Sequence, residues 1–505
     1  MVVDPSVSDE LTEYAKKVQR DFGMEHPPPL PDTEASWARK NQFELTVEEC
    51  KLTVLGRAWE IKNKVKFIWH LDTGDEDVSH QEWPADLRAN GLTATYDSRG
   101  RVRPRTSTFG KYFRMENRDT YLSWHRVVGA YIGFAIGDAL GSAVDTLTWP
   151  EIQKRHGPRG ITDFATAFDR PGQISALTQQ LLFLTEGAIR AVSKYRKRDE
   201  PETLDPPGAI RDALFRWAYT QGVPWGKLAG ASTEAPDGWL VEVDELHRRR
   251  APAPGLLDTI RALAAPPDEQ AADAPAAASF VALVSGLASG IPNMTIHDEM
   301  SETMASLCHR DPVDLAATFM LSWLYKPVLY EKEFVNPVWL TLMDHWLDKP
   351  TVHEREKPEF GGFFTLLRKE FAKIDPRKPN VNWDYVPGVA EIDGIGSGTD
   401  ATSVLVRALI SLCQFEGDPR NALLTAVNHS GRSAMTGAIV GSIVGARYGV
   451  PGLPQDWVEQ LELRDLIESL ASDTAWHFAI YKQQGFDDDE WDKRYPPHVA
   501  ADKRG

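Results

Sequence analysis

NHSGRSAMTGAIVGSIVGARYG, residues Asn428 to Gly449, sets Gly437, Gly441, Gly445 and Gly449 into an otherwise apolar run. Glycine at every fourth position leaves one face of a helix without Cβ atoms, so a second helix can approach to backbone contact. A bilayer span needs about 20 predominantly apolar residues, and the apolar run Thr436 to Val450 is diluted by its glycines and carries Arg447. A tight helix crossing in a core is therefore the expectation. Outward from this stretch, apolar residues recur at i, i+3, i+4 and i+7 in Leu177 to Ala191, Ala209 to Gln221, Gly255 to Ala264, Ala276 to Leu287, Met300 to Leu307, Pro312 to Tyr325, Thr399 to Glu416, Pro419 to His429, Thr436 to Tyr448 and Glu462 to Asp473. Gly and Pro punctuate the joints, and strand-like alternation is scarce after Tyr121. The pattern predicts a mainly α fold, an orthogonal multi-helix bundle.

Ahead of the bundle the pattern is mixed. Residues 1–35 hold an acidic start and HPPPLP (His26 to Pro31), which predict a flexible tail. Residues 36–125 combine a helical stretch at Val47 to Lys64 with strand-like alternation at Leu92 to Tyr96, a small α+β segment whose Trp59 to Trp69 stretch is read as its own core. The helical domain is expected over 126–480, with an insertion at 330–395 rich in Lys, Glu, Trp and Pro, and a tail over 481–505. Long excursions of that kind tend to be lids or contact surfaces.

The chain has 505 residues, 42% hydrophobic and 26% charged, with a net charge of −17. That balance works against broad attachment to nucleic acid or anionic lipid, and the basic runs Lys194 to Arg198 and Arg248 to Arg250 read as solvated faces. Cys50, Cys308 and Cys413 stand far apart without CxxC spacing, which predicts reduced, buried thiols and a cytoplasmic setting. Met1 to Glu13 lacks the apolar core of a signal peptide.

Three windows share an order and spacing: GAYIGFAIGDALGSAVD (Gly129 to Asp145), ISALTQQLLFLTEG (Ile174 to Gly187) and the Asn428 to Gly449 stretch. Together they resemble the ADP-ribosylglycohydrolase (DraG-like) family. Further windows agree: GSGTDATSVLVRALISLC (Gly396 to Cys413) is similar to a family helix opening, with Thr399 in place of a tryptophan. GVPGLPQDWVEQLELRDLIESLA (Gly449 to Ala471) is similar to the closing segment, and LCHRDP (Leu307 to Pro312) keeps His309 of a THGHP element. The resemblance implies the same all-α bundle and a pair of magnesium ions held by TDDTQ-like and GDSDST-like motifs. At those places this chain reads Ser175, Ala176, Leu177 and Arg432, Ala434, Met435. Ser175 and Thr436 keep an oxygen, no carboxylate survives in either motif, and Arg432 reverses the sign. The family's glycine-rich cleft segment corresponds to Ala274 to Gly290, with Val281 in its arginine place.

Magnesium is a small, hard cation that wants several oxygen ligands, so no metal cofactor is expected. Asp138, Asp145 and Asp169 are the carboxylates near enough in sequence to act as a metal-free general base. Asp145 stands where the family has a substrate-gating glutamate, while the favoured reading of Asp138 is a buried, hydrogen-bonded helix residue that positions a turn. Candidate ligand-binding residues are Arg432, as a phosphate anchor, with Ser175, Thr178, Gln179, Asn428, His429 and Ser433. The expectation is a catalytically degenerate ADP-ribosylglycohydrolase-like protein acting through a protein partner, with residual recognition of ADP-ribose or an ADP-ribosylated protein. The alternative is an active hydrolase with a metal-independent site.

Overall fold

The computed structural model describes residues 5–24, 26–28, 94–96, 102–104, 118–193, 206–228, 235–252, 254–265, 283, 317, 321, 361–372, 392–415, 418–480 and 489–498. Its elements are α1 (Pro5–Phe22), a short antiparallel pair β1 (Ala94–Tyr96) and β2 (Val102–Pro104), then α2 (Arg118–Ser142), α3 (Trp149–His156), α4 (Ala176–Ser193), α5 (Pro206–Thr220), α6 (Leu256–Ala262), α7 (Gly361–Phe371), α8 (Ala401–Gln414), α9 (Pro419–Val427), α10 (Ser433–Gly452), α11 (Gln455–Gln460), α12 (Arg464–Thr474) and α13 (Asp489–Arg494). The strand register pairs Thr95 with Arg103. Among the described residues no helix is long and apolar enough to cross a membrane.

The partner of the glycine-rich helix is α2, and the two run antiparallel in the most extensive helix contact of the molecule's described part. Glycines meet glycines. A Cβ placed on Gly129 would lie 2.2 Å from the Gly445 carbonyl oxygen, one on Gly133 2.0 Å from that of Gly441, and one on Gly137 1.9 Å from that of Gly437. Reciprocally, a Cβ on Gly445 would lie 1.9 Å from the Gly129 carbonyl oxygen. Both helices are buried nearly all round, from Val127 to Leu140 and from Ser433 to Ala446. The crossing stops where Gly449, with φ 68°, breaks the helical path of α10 ahead of Pro451.

Around this pair the remaining helices close a single core. Tyr131 on α2, fully buried, shares a 2.9 Å hydrogen bond with Thr185 on α4. The start of α8 is fixed by Asp400, whose carboxylate accepts from the Ser403 N–H at 2.7 Å, and that of α9 by Asp418, accepting from the Asn421 N–H at 3.1 Å.

Four expectations change. The segment 1–35 is not wholly a tail, because α1 buries Leu11, Ala15 and Val18, the last two in the main core; their i, i+4, i+7 spacing makes the stripe that docks it. The segment 481–505 likewise contains α13, whose Trp491 is buried together with the following Tyr495. The helical domain starts at Arg118, ahead of residue 126. Within 330–395, helix α7 buries Phe363, Phe364, Leu367 and Phe371 against the body next to α8, so that part of the insertion is core and not an excursion. The Val47 to Lys64 helix, the Trp59 to Trp69 stretch, Lys194 to Arg198, the Met300 to Leu307 helix, His309, Val281, Cys50 and Cys308 lie outside the described residues, as do Ala276 to Leu287 apart from Leu283 and Pro312 to Tyr325 apart from Ala317 and Leu321.

The crossing predicts a sharp contrast. Gly133→Ala or Gly441→Ala should cost at least about 3 kcal/mol by overpacking against backbone that cannot yield. Gly361→Ala, where a Cβ meets nothing within 4 Å, should be close to neutral; chemical denaturation of the three variants measures the difference.

Candidate functional site

The zipper fixes the level at which α2 delivers Asp138 and Asp145. Asp138 follows the last glycine in contact with Gly437 and is fully buried. Its carboxylate sits at the start of α4 and takes the helix's unmet donors: Ser175 N at 2.9 Å, Ser175 Oγ at 2.5 Å, Thr178 N at 3.3 Å and Thr178 Oγ1 at 2.6 Å. Ser142 Oγ adds a fifth at 3.3 Å. Burial pushes the Asp138 carboxyl above its ordinary range, and the Ser175 and Thr178 hydrogen bonds oppose that rise. The arrangement answers the two sequence readings of Asp138 in favour of a residue that positions a turn.

Asp145 lies just beyond the end of α2, mostly buried. Its Oδ1 accepts from the Ala434 N–H at 3.1 Å, and its Oδ2 lies 3.7 Å from Arg432 Nε. Burial raises its carboxyl as well; Arg432 and the Ala434 N–H oppose the shift, while Asp138 adds to it.

Between the starts of α4 and α10 is a cleft of about 40 Å³ lined by Asp145, Ser175, Leu177, Gln180, Arg432 and Met435, with Phe168 and Ala251 at its rim. Ser142, Ala176 and Ala434 also line it. The Ser175 to Leu177 and Arg432 to Met435 windows therefore come together in space. The volume is far below the roughly 300–1,000 Å³ of ordinary small-molecule pockets.

The other sequence candidates are committed elsewhere. Thr178 serves Asp138. Gln179 turns away from the cleft: its Nε2 donates to the Arg248 carbonyl at 3.0 Å, and its Oε1 accepts from Trp217 Nε1 and Gln221 Nε2, both at 3.4 Å. Asn428 is stitched to Ile161, accepting from its N–H and donating to its carbonyl, each at 2.9 Å. Ser433 Oγ donates to the His429 carbonyl at 3.0 Å. His429 is fully buried, with its Nδ1 3.0 Å from both Arg407 Nη1 and the Ser430 carbonyl oxygen. Burial first, then the Arg407 charge, lowers the His429 pKa to about 4. Asp169 is exposed, 3.6 Å from Arg248. Of the candidates named for ligand binding, Arg432 and Ser175 reach the cleft.

Sequence reasoning missed Gln180 and Phe168. Helical spacing carries a signal for Gln180, which is i+3 from Leu177 and so shares its face, whereas Gln179 does not. Nothing in the sequence marks Phe168. It also misread Arg250 as part of a solvated run: that side chain is buried, 3.1 Å from Glu462 and stacked on Phe168 at 4.8 Å, while Arg248 and Arg249 are exposed.

A buried all-helical domain zipped along two glycine-rich helices, with one cleft between the starts of α4 and α10, defines the class. The ADP-ribosylglycohydrolase family model matches residues 118–485, and the chain belongs to that family. Among solved structures, one from an "ADP-ribosylglycohydrolase-related protein complex" is 18% identical with a TM-score of 0.43, over 71% of this chain and 99% of that one. No curated protein matches the sequence significantly.

Two outcomes follow from the geometry. Asp138→Asn should destabilise the fold by about 2–4 kcal/mol in denaturant titration, because an amide N–H₂ replaces an acceptor facing buried N–H donors. In an NMR pH titration the His429 ring should stay neutral down to about pH 4. Its folded value lies below the ordinary 6.5, so its contribution to stability is complete above that pH and is lost as the pH falls toward the folded value.

Proposed function

We propose that this chain is a non-hydrolysing member of the ADP-ribosylglycohydrolase family that works by binding a protein partner. The observation that carries this is the commitment of the Asp138 carboxylate, which accepts from Ser175, Thr178 and Ser142. Asp145 accepts from the Ala434 N–H and lies beside the Arg432 guanidinium, and Asp169 is exposed beside Arg248, away from the cleft. A general base needs a lone pair free to take a proton from water. Asp138 offers none without breaking the start of α4.

The family's magnesium pair does not suit these residues. Where oxygen ligands are wanted, the cleft walls carry Ala176, Leu177, Ala434 and Met435, and a guanidinium occupies the remaining place. Leu177 and Met435, each almost fully buried, make the cleft better suited to staying closed than to admitting a nucleotide. Recognition of ADP-ribose, on this reading, is residual and secondary to protein contact.

The test is release of ADP-ribose from modified arginine and serine substrates by the purified chain, with and without magnesium. No release above buffer in either condition is expected; release in either would refute the reading. For the binding half, immobilised chain should retain a protein from lysate in millimolar ADP-ribose, whereas complete elution by the nucleotide would make nucleotide recognition primary.

A further inference from the structure

The cleft contains a cation of its own. Arg432 and Asp145 face one another across it, at 15% and 21% side-chain exposure, Arg432 at a place where the family resemblance puts a magnesium ligand and Asp145 where it puts a substrate-gating glutamate. We propose that the Arg432 guanidinium is a tethered substitute for the metal: it serves as the internal counter-ion of Asp145 and holds the end of α2 against the start of α10. This rests on the reading of a cleft unsuited to magnesium, and it replaces the expectation that Arg432 waits for a ligand's phosphate.

The surrounding backbone is built for such a clamp. The turn after α2 bonds twice to the turn before α10, Thr146 N–H to the Gly431 carbonyl at 2.7 Å and Gly431 N–H to the Leu147 carbonyl at 3.2 Å. Thr146 has φ 66°, a left-handed conformation that costs a β-branched residue of order 1–3 kcal/mol and persists only where its surroundings impose it. Arg432 itself is anchored through its N–H to the Gly398 carbonyl at 2.9 Å. Gly431 and Gly398 meet so closely that a Cβ on Gly431 would lie 2.4 Å from the Gly398 carbonyl oxygen. The guanidinium therefore leaves a fixed platform.

Charge explains why the position requires a cation. The charged groups acting on Asp145 are Arg432, from α10, and Asp138, from α2 itself. An apolar residue at 432 would leave two carboxylates near one another with no counter-ion in a half-buried cleft, and the proton would be retained instead. In the family the divalent ions would satisfy such carboxylates; a residue on the chain does so here without any dependence on ion concentration.

The test is a double-mutant cycle between positions 145 and 432, read as melting temperature at about pH 5 and about pH 8. Arg432→Gln keeps size and removes charge, whereas Arg432→Lys keeps charge. Asp145 already has a raised folded pKa, so its proton favours the folded state and stability falls as pH rises through that value; losing Arg432 raises it further. Arg432→Gln should therefore lose more stability than the parent between the two pH values. Arg432→Lys should follow the parent, and Arg432→Gln with Asp145→Asn should cancel the excess. Additive effects, or an Arg432→Gln profile parallel to the parent's, would overturn the proposal while leaving the non-hydrolysing reading intact. Stabilisation of the parent by magnesium would instead strike at both.

Discussion

Backbone contact between α2 and α10 is the constraint on which the rest depends. Four-residue glycine spacing on both helices lets carbonyl oxygens of one lie against Cα atoms of the other, from Gly129 with Gly445 to Gly137 with Gly437. At that approach the helices cannot slide or rotate without driving carbonyls into each other, so the register is fixed to within a residue. Close contact of this kind gains dispersion and weak Cα–H···O interactions. Its larger consequence is geometric. The two ends that carry functional residues, Asp138 to Asp145 on one helix and Arg432 to Met435 on the other, are delivered to one place.

From that fixed pair the site is assembled in steps. Asp138, held at the crossing, collects the donors at the start of α4 and so decides where Ser175, Ala176 and Leu177 stand. The turn Thr146–Leu147, bonded to Gly431, decides where Arg432 stands. A cleft results between the starts of α4 and α10, with Asp145, Arg432 and the apolar side chains of Leu177 and Met435 on its walls. The frame and the chemistry are separable because the frame needs glycines and one buried acceptor, whereas the chemistry needs exposed oxygen ligands.

Much of this was legible in the chain. The apolar period located most of the helices, and the ends of α9 and α4 fell within a residue or two of expectation. The glycine stretch announced a tight crossing, and the matching repeat Gly129, Gly133, Gly137, Gly141 was there to name its partner. The family windows brought Ser175 to Leu177 and Arg432 to Met435 to one cleft. What misled was direction: Gln179, Asn428 and His429 belong to the right segments but turn inward to partners reachable only in the folded chain, and Ser433 bonds back to the carbonyl of His429 four residues earlier. Helix α1 was read as tail because a polar composition masked three apolar residues on one face.

The sequence by itself determined the helical class, the crossing helix and the residue types that stand at the resembled motifs, since these depend on local period and composition. Only the tertiary structure decided which remaining groups are available. Whether Asp138 is a base or a cap depends on donors 37 positions away, and whether Arg432 is an anchor or a counter-ion depends on the charge of Asp145, on a different helix end. Hydrogen bonds and ion pairs act over a few ångströms in space, and the chain acquires those distances only when its helices close.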